Sequence, residues 1–192
     1  MKLRGLYAIT PERLDLKRVE QALQGGAMLL QYRGKRGEAA EAREVVTLAR
    51  RYGVPVIVND DVELALEVGA AGAHLGRDDG DLAAARRRLA GRILGASCYN
   101  DAQLARAAVR AGADYVAFGS VFPSPTKPLA VRAPLELFSE RIGVPLAAIG
   151  GITVENARQV VRAGADMLAV ISDLFEAPDV ARRAADYRKL FP

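Results

Sequence analysis

Two carboxylates, a short run of cations and a few hydroxyls and glycines are the residues of this chain whose type and spacing could do chemistry. Gln31-Tyr32-Arg33-Gly34-Lys35 sets an amide and two cations at alternate positions. On an extended strand Gln31, Arg33 and Lys35 would share one side and could grip a polyanion. Gln31 lies inside an apolar run, where its amide needs a polar partner. Asn59-Asp60-Asp61 and Leu75-Gly76-Arg77-Asp78-Asp79 each end an apolar run in acids. Two carboxylates completed by phosphate oxygens and water suit Mg²⁺. Asp60 and Asp79 are expected to face that ion, and Asp61 or Asp81 to cap a helix. Ser97, in Ser97-Cys98-Tyr99-Asn100, can donate to phosphate. The stretch Gly119–Pro128 carries Ser124, Thr126 and Lys127 among three stiffening prolines. Gly150-Gly151-Ile152-Thr153 and Ile171-Ser172 offer backbone N–H groups and a hydroxyl to a second anion.

The two anion stations differ. Arg33, Lys35 and the acid pair with a metal suit a diphosphate, whereas Gly151 and Ser172 suit a monophosphate. No strong general base or activated nucleophile accompanies them. The single cysteine, Cys98, reads as a small buried apolar residue. The single histidine, His74, between Ala73 and Leu75, reads as a satisfied core histidine. The set points to group transfer in which diphosphate leaves with Mg²⁺ and Lys/Arg assistance.

The elements that must position these groups alternate strand and helix. Strand-like apolar runs are expected at Gly5–Ile9, Met28–Tyr32, Pro55–Asn59, Gly72–Leu75, Ile93–Ser97, Tyr115–Gly119, Pro145–Ile149 and Met167–Ile171. Helices are expected at about 15–24, 38–52, 61–68, 81–90, 101–111, 134–141, 153–163 and from about 178 to the end. The runs are continuously apolar, as in parallel strands covered by helices. A Gly-Ala junction joins helix to strand at Gly26-Ala27, Gly69-Ala70, Gly112-Ala113 and Gly164-Ala165. Asp101 and Thr153 are N-cap candidates. Eight such units predict an α/β chain forming a single (β/α)8 TIM barrel over 1–192, with short loops. The runner-up, an open doubly wound sheet, would usually show a Gly-rich turn after strand one; Thr10-Pro11-Glu12-Arg13 stands there instead. In a barrel the groups named above all follow the C-terminal ends of strands, where such folds keep their chemistry.

Composition narrows the field. The chain has 192 residues, 51% hydrophobic and 26% charged, an ordinary globular balance. One cysteine excludes a disulfide framework, and one histidine excludes a multi-histidine metal centre. No apolar run approaches a membrane span, and no signal-peptide core opens the chain. A cytoplasmic setting without membrane partner is therefore expected. The net charge of +4 is spread along helical stretches such as Arg86-Arg87-Arg88, and the chain lacks Trp, so a nucleic-acid partner is not expected. A homo-oligomer is compatible with this composition.

The motifs resemble the thiamine-phosphate synthase (thiamine-phosphate pyrophosphorylase) family along nearly the whole chain, from Leu6-Tyr7-Ala8-Ile9-Thr10 to Ala169-Val170-Ile171-Ser172. Between these lie Gln31-x-Arg33-x-Lys35, Val58-Asn59-Asp60, Gly72-Ala73-His74-Leu75-Gly76-x-x-Asp79, Pro123-Ser124-Pro125-Thr126-Lys127-Pro128 and Ala148-Ile149-Gly150-Gly151-Ile152. The resemblance implies a TIM-barrel transferase acting on two small phosphorylated heterocycles. It would join 4-amino-2-methyl-5-(diphosphooxymethyl)pyrimidine to 4-methyl-5-(2-phosphooxyethyl)thiazole, giving thiamine phosphate and diphosphate. By the same resemblance Gln31, Arg33, Lys35, Asn59, Ser97 and Lys127 would hold the pyrimidine diphosphate, with Lys127, Arg33 and Ser97 as catalytic groups. Asp60 and Asp79 would bind Mg²⁺. Ser124, Thr126, Gly151, Ile171 and Ser172 would hold the thiazole phosphate. The implied mechanism is dissociative, and an aromatic nitrogen needs no base to attack. Gly34 stands where the family usually has Glu, Arg77 where Gln is common, Ser124 for the usual Thr and Pro11 for a frequent Asp. Arg77, beside Asp79, is the departure that bears on the metal. Rival readings are a thiazole tautomerase-like paralogue, which would carry His where this chain has Ser120, and a non-catalytic phosphate-ligand-binding barrel.

Overall fold

The computed structural model describes residues 3–34, 39–123 and 131–191. Eight parallel strands close into a barrel in sequence order: β1 (Gly5–Ile9), β2 (Leu29–Tyr32), β3 (Val56–Asn59), β4 (Gly72–Leu75), β5 (Ile93–Tyr99), β6 (Tyr115–Phe118), β7 (Leu146–Ile149) and β8 (Met167–Val170). β8 returns to β1 through the register Leu6↔Leu168. The α/β barrel expected from the spacing of apolar runs is therefore the fold observed. The helices are α1 (Leu16–Gln24), α2 (Ala39–Arg51), α3 (Val62–Glu67), α4 (Leu82–Arg88), α5 (Ala102–Arg110), α6 (Val154–Ala163), α7 (Ser172–Phe175) and α8 (Val180–Arg188).

Strand alternation divides the core in two. Leu6, Leu30, Val58, Ala73, Leu94, Val116, Ala148 and Leu168 face outward and pack against the helices. Tyr7, Leu29, Ile57, Tyr115, Ala117, Ala147, Met167 and Ala169 fill the barrel interior. Both faces being buried accounts for runs that show no polar alternation.

The junctions behave as their residues require. Asp61, Asp81 and Asp101 accept backbone N–H bonds at the starts of α3, α4 and α5. Thr153 caps α6, where its N–H donates to Asn156 Oδ1 at 2.9 Å. α6 ends at Gly164, which takes φ 116°, and the following Ala165 donates back to Val160.

Three elements differ from expectation. The segment 134–141 forms a short 3-10 helix, Leu135–Ser139, held by Leu137 N–H to Pro134 at 3.2 Å. Pro134 before it and Gly143-Val144-Pro145 after it leave too little chain for a stable α-helix. β5 runs on to Tyr99, with a bulge that skips Cys98 in its pairing to β6. α7 is an additional four-residue helix. It is fastened by Asp173, which accepts from Arg183 Nη1 and the Tyr187 hydroxyl, each at 2.7 Å.

Candidate active site

All strands being parallel, their C-terminal ends share one mouth. The exits of β2 to β5 form one arc of it. At the top of β2, Arg33 is anchored through its backbone: its N–H donates to Thr10 Oγ1 at 2.9 Å, and Thr10 is fully buried. Gly34 beside it leaves room for the Tyr32 ring, whose hydroxyl donates to Glu41 of α2 at 2.7 Å.

Asp60 leaves β3 in the left-handed region, φ 62°, a costly backbone for a non-glycine residue. Its N–H still pairs with His74 of β4 at 2.8 Å. Asn59 Nδ2 donates to Asp60 Oδ2 at 2.5 Å. Asp79, after β4, closes its loop by accepting from Gly76 N–H at 2.6 Å. Partial withdrawal from water, then the hydrogen bond and the charge of Asp79, push the Asp60 carboxyl up to about 6, while Arg33 and Asn59 pull against the rise. The exits of β2, β3 and β4 therefore bring Arg33, Asn59, Asp60 and Asp79 into one electrostatic group. Two neighbouring carboxylates form a hard-oxygen donor pair whose repulsion a divalent cation relieves, so the residues fit Mg²⁺. No group of three or more His, Cys, Asp or Glu side chains gathers for a metal among the described residues. An ion held here would complete its shell with water or ligand oxygens.

Arg77 does not pair with Asp79. Its guanidinium lies 4.8 Å from the centre of the Tyr99 ring, and its N–H donates to the Tyr99 hydroxyl at 3.2 Å. Tyr99, past the β5 bulge, takes φ 54°.

Ser97 of β5 is half-buried and meets His74 Nε2 at 2.8 Å. His74 Nδ1 meets the Tyr115 hydroxyl at 2.9 Å. Tyr115 and Tyr7 share a hydrogen bond of 2.7 Å, and Gln31 Nε2 donates to Tyr7 at 2.7 Å. The polar partner that Gln31 requires is thus Tyr7. Burial holds His74 near pKa 4, opposed by the charge of Asp79, so the ring is neutral at pH 7. His74 is the satisfied histidine expected, but it lies directly beneath Ser97. The sequence reading missed Tyr7, Tyr115 and Thr10; the first two could have been found from strand alternation once the barrel was assumed. Cys98 points outward, is fully buried, and has its thiol pushed up to about 12 by burial, so it is inert.

The exits of β7 and β8 form the opposite arc. Gly151 takes φ 63°, and a Cβ there would strike the Pro123 carbonyl and Phe122, so the loop after β6 packs directly on it. Asn156 Nδ2 donates to the Gly151 carbonyl at 2.9 Å, which fixes the turn into α6. Ile171 follows β8 and Ser172 opens α7, both half-buried. The candidates Lys35, Ser124, Thr126 and Lys127 lie outside the described residues. Among the described residues no helix is long and apolar enough to cross a membrane.

Comparison with known proteins bears on the family and the fold. A family profile described as thiamine monophosphate synthase matches residues 6–174. A thiamine-phosphate synthase from Aromatoleum aromaticum is 59% identical, covering 99% of this chain and 97% of its own. One from Chromobacterium violaceum is 55% identical, covering 95% and 94%. Among solved structures, a thiamine phosphate pyrophosphorylase from Pyrococcus furiosus superposes with a TM-score of 0.89 at 36% identity, covering 98% of this chain and 96% of that one. A 3-hexulose-6-phosphate synthase at 18% identity and TM-score 0.72 shares the fold alone.

Proposed function

The chain belongs to the thiamine monophosphate synthase family, and from that premise we propose that it is a transferase that makes thiamine phosphate. Its substrates on this reading are 4-amino-2-methyl-5-(diphosphooxymethyl)pyrimidine and 4-methyl-5-(2-phosphooxyethyl)thiazole. The observation that carries the reading is the β2–β5 arc, where Arg33, a paired Asp60 and Asp79, and a half-buried Ser97 border one station. Such a station suits a diphosphate with its metal.

Asp60 and Asp79 would hold Mg²⁺, which when bound neutralises charge on the departing diphosphate. Arg33 supplies a fixed positive charge to the same oxygens, and Ser97 a hydroxyl donor. Gln31 and Asn59 border the pyrimidine, and Lys35 and Lys127 add cations to the leaving group. The C–O bond to diphosphate breaks, and positive charge develops on the pyrimidine methylene. The thiazole nitrogen then supplies the electron pair of the new C–N bond. No proton is abstracted, which agrees with a mouth whose histidine is neutral, buried and bonded on both nitrogens. Gly151, Ile171 and Ser172, with Ser124 and Thr126, receive the thiazole phosphate.

The tautomerase alternative has less support, because Ser120 turns its hydroxyl to the Phe122 carbonyl at 2.7 Å and offers no base. Incubation of the chain with both substrates and Mg²⁺ tests the reading. Equal amounts of diphosphate and thiamine phosphate are expected, and a folded chain that forms neither contradicts it.

A further inference from the structure

Five polar side chains from five strands meet end to end inside the barrel: Gln31, Tyr7, Tyr115, His74 and Ser97. With the Gln31 amide nitrogen toward Tyr7, proton counting sets the direction of every bond. The Gln31 amide nitrogen can only donate, so the Tyr7 oxygen accepts. Tyr7 is 1% exposed, and its own proton has one acceptor left, the Tyr115 oxygen. Tyr115 is wholly buried, and its proton in turn goes to His74 Nδ1. A neutral imidazole that accepts at Nδ1 carries its proton on Nε2, which donates to Ser97. The Ser97 proton is then left for the mouth.

We propose that His74 and Tyr115 are positioning residues: through this one-way chain they oblige the Ser97 hydroxyl to donate outward, to an anionic oxygen at the barrel mouth. The anion being diphosphate rests on the function proposed above; the chain itself does not. Packing holds the chain in place. The His74 and Tyr115 rings stack with centroids 5.4 Å apart, and Tyr7 meets Tyr115 edge-on at 5.8 Å. Gly95 lies against both rings, and a Cβ there would fall 2.5 Å from His74 Nδ1 and closer still to Tyr115. The two ends of the chain are coupled. With the Gln31 carbonyl toward Tyr7, every bond would reverse, His74 would carry its proton on Nδ1, and the Ser97 proton would be drawn inward.

His74 is the sole histidine, so its imidazole ¹⁵N resonances report the direction without assignment. In the unaltered chain at pH 7, without ligand, a neutral Nε2–H tautomer is expected; an Nδ1–H tautomer overturns the chain. The positioning role is read from binding of inorganic diphosphate with Mg²⁺. Tyr115→Phe is expected to weaken binding about tenfold, but less than about twofold in a Ser97→Ala background, since both changes act on one donor. Equal losses in both backgrounds overturn the role of Tyr115 through Ser97. If the unaltered chain binds no diphosphate, the proposed function and the role of Ser97 fall together, and the tautomer still decides the chain.

Discussion

Both ends of the barrel close carboxylates on peptide N–H groups, but only the C-terminal end also sets one carboxylate against another. At the N-terminal end, charges close on backbone. Asp114 accepts from Leu94 N–H at 2.7 Å, and Asp166 from Leu146 N–H at 3.0 Å, each pinning the start of the neighbouring strand. Arg86 reaches Asp114 at 2.8 Å and the Leu89 carbonyl at 3.1 Å, and Arg92 donates to the Ala70 carbonyl. At the C-terminal end Asp79 also takes a peptide N–H, from Gly76, but Asp60 faces it, and Asp60 is pushed up to about 6. Its backbone adopts φ 62° there. The contrast teaches that charge satisfied by peptide groups maintains the fold, whereas charge set against like charge is held in readiness for a ligand.

Substitutions and titrations at the two ends should separate these two uses of charge. The largest effect is expected from Asp79→Asn, which keeps an acceptor for Gly76 but removes the charge; turnover should fall about 100-fold or more, with little change in melting temperature. Next comes the protonation of His74. Its folded pKa near 4 lies below the unfolded value of 6.5. The folded state therefore binds fewer protons in this window, and the contribution is full above pH 6.5 and lost as pH falls toward 4. Its size is on the order of 3 kcal/mol. Asp60, raised rather than lowered, acts in the opposite sense below pH 6. An NMR titration of the single imidazole should show a midpoint near 4; a midpoint near 6.5 would remove the buried chain from the account. At the other end of the barrel, Asp166→Ala should cost about 1–3 kcal/mol in urea unfolding while kcat stays within about twofold. The smallest effect is expected from Arg182→Ala on the exposed face of α8, within about 0.5 kcal/mol and without change in turnover.

The sequence carried these two ends unequally. The eight strands were legible because each is a short apolar run bounded by Gly, Pro or Asp, and the helices between them repeat the Gly-Ala exit. Closure in sequence order then placed Arg33, Asp60, Asp79, Ser97, Gly151 and Ser172 at one mouth. α7 was not legible, because four residues are too few to show a helical period. The β5 bulge was hidden, since Ser97-Cys98-Tyr99 reads as plain strand. The interior chain was harder still. Tyr7, His74 and Tyr115 look like members of apolar runs, and only the inward side of each strand, fixed by the closed barrel, reveals that they meet. Arg77, which the sequence sets beside Asp79, lies instead over the ring of Tyr99, the residue just past the β5 bulge.

On the function proposed above, the acid pair at the mouth serves a metal-assisted departure of diphosphate. Its most direct test is the Mg²⁺ dependence of diphosphate release from the pyrimidine substrate, with the thiazole phosphate present, for the unaltered chain and for Asp60→Ala. Saturable Mg²⁺ activation is expected in the former and about 100-fold slower release in the latter. Undiminished Mg²⁺-dependent release from Asp60→Ala would contradict it.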